Sequence, residues 1–242
     1  STYMRMLRSI YNRGVDMHQA PYVHGLFRDV FTGVDTRQKK AIPIGELHML
    51  LNKDPQSEKL RRTQAIANLL FQFCGMPFSD LAHLEKSNLE RGLLKYNRTK
   101  TGTPMSIEVL ESAQNAIGGL YNKSDARSSG YPDYLFRILS GAYKRNEEGA
   151  YREYQSALRR FNNELKSLSR KLRLHSPVTS YTLRHSWATT AKYRGVPIEM
   201  ISESLGHKSI KTTQIYLKGF ELEERTKVNK LNYSYVCSFK MF

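Results

Sequence analysis

The sequence predicts a mainly helical protein carrying one small antiparallel β-sheet, and three observations predict it. Apolar residues recur at helical spacing in long stretches, as with Tyr154, Leu158, Phe161, Leu165 and Leu168 of one amphipathic segment. Strand-like alternation is confined to RGLLKYNRTKTGTPMSIEVL, where a Thr-Gly-Thr turn marks a β-hairpin with Lys100 and Thr101 at its tip. Toward the C-terminus, Gly195-Val-Pro197 and Gly206 cut the chain into three short helical pieces.

Taken in order, STYMRMLRSIYNRGVDMHQ opens on a helical pattern, with Met4, Leu7, Ile10 and Tyr11 on one face and Arg5, Arg8 and Arg13 on others. Nothing before it buries that face, which suggests the last helix of a preceding domain. PYVHGLFRDVFTGVDTRQKKAIP, with its Pro, Gly and Arg-Gln-Lys-Lys run, reads as an extended basic linker. From Pro43 the pattern is regular. IGELHMLLNKD is helical, and SEKLRRTQAIANLLFQFCG starts with a capping-box signature at Ser57 and stops at Gly75. Ser79 is the expected N-cap of a short helix in SDLAHLEKSNL. After the hairpin, KSDARSSGYP is a loop, YLFRILSGAY a short helix and KRNEEG a polar connection. The long amphipathic segment follows; its apolar stripe is ordinary core.

Composition narrows the function. Thirty-eight Lys and Arg against 22 Asp and Glu give a formal charge of +16, spread along the chain. Such an excess suits a polyanion, nucleic acid before an anionic membrane. The two cysteines, Cys74 and Cys237, form no CxxC or His/Cys cluster, so a disulfide or structural zinc is not expected. No run reaches the roughly 18 apolar residues of a membrane span, and the charged start lacks a signal peptide's hydrophobic stretch. A cytoplasmic protein with no membrane partner is the expectation.

The chemistry-bearing residues lie in SYTLRHSWATTAKYRGVPIEMISESLGHKSIKTTQIYLK. Ser180 is placed to cap a helix running to about Arg194, with Tyr181 and Arg184 three apart near its N-terminus. Free N–H groups and the helix dipole there favour an anion, and a guanidinium beside them can grip a phosphate bidentately. Gly206-His207 ends the next helix, and Tyr216 lies nine residues beyond His207 in a third that starts near Ser209. A helix-turn-helix regulator would explain the charge and the turn, but neither the Lys100 hairpin nor the Tyr216 spacing.

This order of Arg184, Leu-Gly-His207 and a Thr-x-x-Tyr216 stretch resembles the C-terminal signature of the tyrosine recombinases, the phage-integrase family. LLFQFCGMPFSDLAHLEKSNL resembles that family's first motif, and YNRTKTGTPMSIEV the hairpin that carries its catalytic lysine, which identifies Lys100. The likeness covers roughly residues 41–230, and its wording is similar to the branch of invertases and mobile-element integrases. It implies residues 1–20 as the last helix of a core-binding domain, 21–42 as linker, 43–232 as catalytic domain and 233–242 as a tail that docks on a neighbouring protomer.

The resemblance also implies a site-specific DNA recombinase that works without metal or cofactor on double-stranded DNA, as a tetramer on paired sites. Tyr216 is the nucleophile, forming a 3′-phosphotyrosyl link. A protein nucleophile exchanges one phosphoester for another and so keeps the bond energy for rejoining. Arg184 clamps the phosphate, Lys100 protonates the leaving oxygen, and His207 bonds the phosphate or orients the tyrosine. Arg98, Lys208 and Lys211 are expected on the DNA backbone.

Two positions depart from the family. Its H-x-x-R pair begins here with Tyr181, which can position a phosphate but cannot serve as a base near neutral pH. Its first motif carries a second clamping arginine where CGMPFSD has Pro77, and the position before the glycine is Cys74. Arg61, Arg62 or Arg98 could reach the phosphate instead, with Asp80 as support. Otherwise the protein is a weakened or silent DNA-binding relative, since one such charge is worth on the order of 100-fold in rate.

Overall fold

Phe161, Leu165 and Leu168 fall on one face of a long helix over Glu148–Lys171, and each is buried. This computed structural model describes residues 2–30, 41–124 and 128–217, with positions 226, 229–231 and 234 beyond them. The predicted tail, and with it the boundary near 232, falls largely outside the described residues.

The chain divides into two units, Ser1–Gln38 and Lys39–Phe242. In the first, α1 (Thr2–Asp16) forms as its periodicity predicts. Residues 21–30 are not extended. They form a run of turns folded back on α1, where the Tyr11 hydroxyl donates to the Pro21 carbonyl and accepts from the Val23 N–H, and Phe27 packs 5.8 Å from the Tyr11 ring. A half-buried tyrosine that bonds the main chain of both Pro21 and Val23 selects folding back over extension.

The second unit comprises α2 (Ile44–Asn52), α3 (Glu58–Gln72), α4 (Phe78–Ala82), strands β1 (Leu89–Glu90), β2 (Leu93–Asn97) and β3 (Pro104–Glu108), then α5 (Glu111–Leu120), α6 (Glu148–Lys171), α7 (Ser180–Tyr193), α8 (Ile198–Ser204) and α9 (Ile210–Tyr216). The fold class is as predicted, mainly helical with one antiparallel sheet. That sheet has three strands in the order β1-β2-β3, with Leu94 opposite Ile107 and Asn97 opposite Pro104, so the turn between β2 and β3 carries Lys100. The two-residue β1 is too short to signal itself by alternation.

The main core lies between α3, α5, α6 and the sheet, with Leu69, Leu70, Leu94 and Leu165 fully buried and Phe78 stacked on Phe161 at 4.8 Å. A smaller cluster of Ala188, Ile201, Leu205 and Leu217 joins α7, α8 and the end of α9. α7 is tied down from several sides. The Ile42 N–H donates to Ser186 Oγ at 2.9 Å, and the Ser180 N–H to Asn162 Oδ1 at 2.9 Å.

Four local expectations need correction. The N-cap of α7 is Thr179, not Ser180. Its hydroxyl accepts from the Thr182 N–H, and the Thr182 side chain answers the Thr179 N–H in a capping box. Ser57 precedes α3, but its side chain makes no capping bond. α4 starts at Phe78 behind Pro77, whose fixed φ of −66° suits that place, so Ser79 is inside the helix. YLFRILSGAY is not helical. Tyr134, Leu135 and Phe136 are all buried, which suits an extended segment between two partners, and it bridges to Glu85 on one side and Tyr121 on the other. α5, in contrast, has ordinary helical periodicity at Ala113, Ile117 and Leu120 that the sequence reading passed over.

Thr179→Ala should lower stability by about 1 kcal/mol in urea denaturation, the usual worth of an N-cap. Ser180→Ala should stay within about 0.5 kcal/mol, as for an ordinary substitution.

Candidate active site

Arg184 is the centre of the constellation. It lies in the first turns of α7 with 4% of its surface exposed. Its Nη1 donates to the Gly75 carbonyl at 2.9 Å and its Nη2 to the Leu205 carbonyl at 2.6 Å. The guanidinium therefore spans two turns, the one after α3 and the one after α8. Both turns use left-handed glycines, with φ of +65° at Gly75 and +63° at Gly206. A Cβ on Gly75 would stand 3.2 Å from Arg184 Cα and from Trp187 Cβ, so α7 can lie this close only because the side chain is absent.

Arg98 reaches the same place from the hairpin. It is 7% exposed, and its Nη1 donates to the Leu205 carbonyl that also accepts from Arg184. Its Nε stands 2.7 Å from Asp80 Oδ2, a buried ion pair bent too far for a straight hydrogen bond. The other carboxylate oxygen, Asp80 Oδ1, accepts from the Thr99 N–H at 3.3 Å and the Ser79 hydroxyl at 3.2 Å. Asp80 thus holds both the side chain and the backbone of the hairpin. A Cβ on Gly206 would fall 3.1 Å from Arg98 Cγ and Nη1 and 2.7 Å from Met105 Sδ, so this glycine also makes room for Arg98.

His207 bridges the arginines to α9. Its Nε2 lies 3.2 Å from Arg184 Nη2, and its Nδ1 lies 2.8 Å from Thr213 Oγ1, which is fully buried. Arginine offers no acceptor, so Arg184 donates and Nε2 accepts, which leaves the ring proton on Nδ1 to be given to Thr213. Burial first, then the charges of Arg184 and Arg98, push the His207 pKa down from its ordinary 6.5 to about 4. The ring is neutral at physiological pH. Thr213 escaped the sequence reading as a site residue, although its place three before Tyr216, on the same helical face, was a usable signal.

The remaining predicted residues are arranged less tightly. Tyr216 closes α9, but its side chain lies outside the described residues. Lys100 is exposed at the hairpin tip, within the turn closed by the Arg98 N–H to the Thr103 carbonyl at 2.8 Å and the Gly102 N–H to the Arg98 carbonyl at 2.8 Å. Tyr181 is 43% exposed, with its ring edge-on to His185 at 4.8 Å. Lys208 and Lys211 are exposed at the start of α9. The other two candidates for the missing arginine are engaged elsewhere. Arg61 pairs with Asp54 at 2.9 Å, and Arg62 donates to the Arg137 carbonyl.

A hairpin and the N-terminal half of α7 thus meet on one Gly-His turn. The chain belongs to the phage integrase family, which it matches over residues 44–222. It is 28% identical over 204 residues to a probable integrase/recombinase protein of Methanocaldococcus jannaschii, covering 81% of this chain and 58% of that protein. It is 30% identical over 190 residues to the tyrosine recombinase XerD of Halalkalibacterium halodurans, covering 74% and 57%. The chain therefore spans little more than half the length of these relatives. Among solved structures, the Tn1549 transposon integrase in complex with a circular intermediate DNA shares the fold at a TM-score of 0.61 and 15% identity, over 92% of this chain and 77% of that one. The XerA recombinase does so at 0.58 and 22% identity, over 82% and 66%. Among the described residues, no helix is long and apolar enough to cross a membrane.

The lowered His207 pKa links stability to pH. In the unfolded chain the ring takes its proton near 6.5, in the folded protein near 4, so the unfolded state binds more protons between these values. The contribution of this group to stability is complete above 6.5 and declines as pH falls toward 4. NMR titration of the imidazole should give a midpoint near 4, and Arg98→Gln, which removes one of the two cations, should raise it.

Proposed function

We propose that the protein is a site-specific DNA recombinase that cuts and rejoins double-stranded DNA through a tyrosine-linked intermediate. One observation carries this: a chain of contacts from two buried guanidinium groups, through a neutral His207, to Thr213 one helical turn before Tyr216. The formal charge of +16 supports a polyanionic substrate.

In this reading the scissile phosphate sits against Arg184, whose fixed charge meets the negative charge that builds on the non-bridging oxygens as phosphorus becomes five-coordinate. The Tyr216 oxygen bonds to phosphorus as the bond to the 5′-oxygen breaks. The tyrosine proton leaves to water as it attacks, and His207, held on Thr213 one turn before Tyr216, orients the nucleophile. The Lys100 ammonium, on the exposed hairpin tip, gives a proton to the departing 5′-oxygen. Tyr181, Lys208 and Lys211 position the DNA backbone. Rejoining reverses these steps with the 5′-hydroxyl of another strand. Exchange between two duplexes involves four strands, so four protomers acting on paired sites supply one nucleophile for each. Residues 1–20 act as the end of a core-binding domain, 21–42 as the linker and 43–232 as the catalytic domain.

The test uses a nicked suicide duplex whose sequence the protein has itself selected from a pool of randomised duplexes. After denaturation, protein should remain joined to DNA. Tyr216→Phe should abolish the adduct, and Lys100→Ala should slow its formation by about 10²- to 10⁴-fold, the usual worth of a general acid. Selective binding with no adduct would favour a silent DNA-binding relative, which the Pro77 substitution makes a specific alternative.

A further inference from the structure

The site as built from the sequence lacks one cation, because Pro77 occupies the place of the first motif's arginine. Proline offers neither charge nor N–H, and here its carbonyl is used up in starting α4, accepting from the Asp80 N–H at 3.0 Å and the Leu81 N–H at 3.1 Å. We infer that Arg98 takes over as the second phosphate clamp, delivered by the hairpin instead of by the first motif. The inference rests on the recombinase reading above.

Placement comes first. Arg98 and Arg184 donate to the same carbonyl oxygen, that of Leu205, so the two guanidinium groups are neighbours. A phosphodiester lying against both would meet two fixed positive charges at once, in a place where charges are poorly screened. Asp80 explains how the exchange of elements is possible. It lies three residues after Pro77 at the start of α4, on the face an arginine at 77 would share, and the carboxylate instead holds Arg98 Nε at 2.7 Å.

The Arg98 guanidinium is also oriented. Nε faces Asp80 and Nη1 faces Leu205, while Nη2 has no hydrogen bond among the described residues. A guanidinium pinned on two sides with one nitrogen left over is ready to donate to an oxyanion at little entropic cost. The lowered pKa of His207, to which both arginines contribute, is in keeping with a positive potential at that point.

The arrangement has a consequence for the reaction. Arg98 and Lys100 are two residues apart on one turn, and Asp80 anchors that turn through the Thr99 N–H. Clamp and proton donor are then positioned by a single element, so the hairpin recognises the phosphate and protonates the leaving oxygen together.

The experiment compares two versions of the suicide duplex, one with a normal scissile phosphodiester and one with a methylphosphonate there, in which a methyl group replaces a non-bridging oxygen and removes the charge. The same bond to Tyr216 forms and the same bond to the 5′-oxygen breaks in both. Arg98→Ala should slow adduct formation on the phosphodiester by about 100-fold or more, and this loss should largely vanish on the methylphosphonate. Arg98→Lys, which keeps a cation beside Asp80 and serves if the alanine variant unfolds, should show a smaller loss with the same rescue. An equal fold-loss on both duplexes would overturn the clamp and leave Arg98 a structural residue. Absence of an adduct from the unaltered protein would instead overturn the recombinase reading, and this role with it.

Discussion

A guanidinium that is almost wholly buried must find an acceptor for its N–H groups, and Arg184 finds main-chain carbonyls at the ends of two helices. This interaction determines where three elements can go. The turn after α3 and the turn after α8 must both present their oxygens to one side chain, and α7 must lie close enough to Gly75 for the guanidinium to reach. Two left-handed glycines make the approach possible, one on each turn. The helix-end carbonyls also place partial negative charge beside the cation, which offsets part of the cost of burying it.

The rest of the site follows from that bridge. Once Leu205 is held, the next residues must turn, and His207 arrives beside Arg184 with an unprotonated nitrogen toward it. Its other nitrogen then has a donor's role, which Thr213 accepts, and α9 is aligned by that bond together with the small apolar cluster around Leu205 and Leu217. Asp80 performs the matching task on the opposite side, fixing the hairpin through a side chain and a main-chain amide at once. Removing either partner of the buried Arg98–Asp80 pair would leave an uncompensated charge, so the pair is costly to break even where it adds little net stability.

Membership of the phage integrase family and a shared fold with DNA-bound integrases place this geometry in context, while the chain spans just over half of its curated relatives. The departure at Pro77 is informative because it is local. Asp80, Gly75 and Arg184 gather around it, and Arg98 stands beside Arg184 from a different element.

Much of this was legible in the sequence where the signal is periodic or local. The apolar spacing from Tyr154 to Leu168 determined α6, the Thr-Gly-Thr turn determined the hairpin and its tip at Lys100, and Gly195, Pro197 and Gly206 determined the breaks between α7, α8 and α9. Arg184 and His207, which the structure brings within hydrogen-bond distance, were legible through their order and spacing, whereas the side chain of Tyr216 lies outside the described residues. The tertiary structure alone decided what depends on neighbours distant in the chain. The Ser180 N–H is taken by Asn162 of α6 while Thr179 caps α7, and 134–136 is extended because two other segments stand ready to bridge it. Arg98, just past the end of β2, reads as a surface contact, but becomes buried because Asp80 and Leu205, distant from it in sequence, meet it there. Periodicity records which face of an element is apolar, whereas the burial of a charged side chain is set by the partners that folding brings to it.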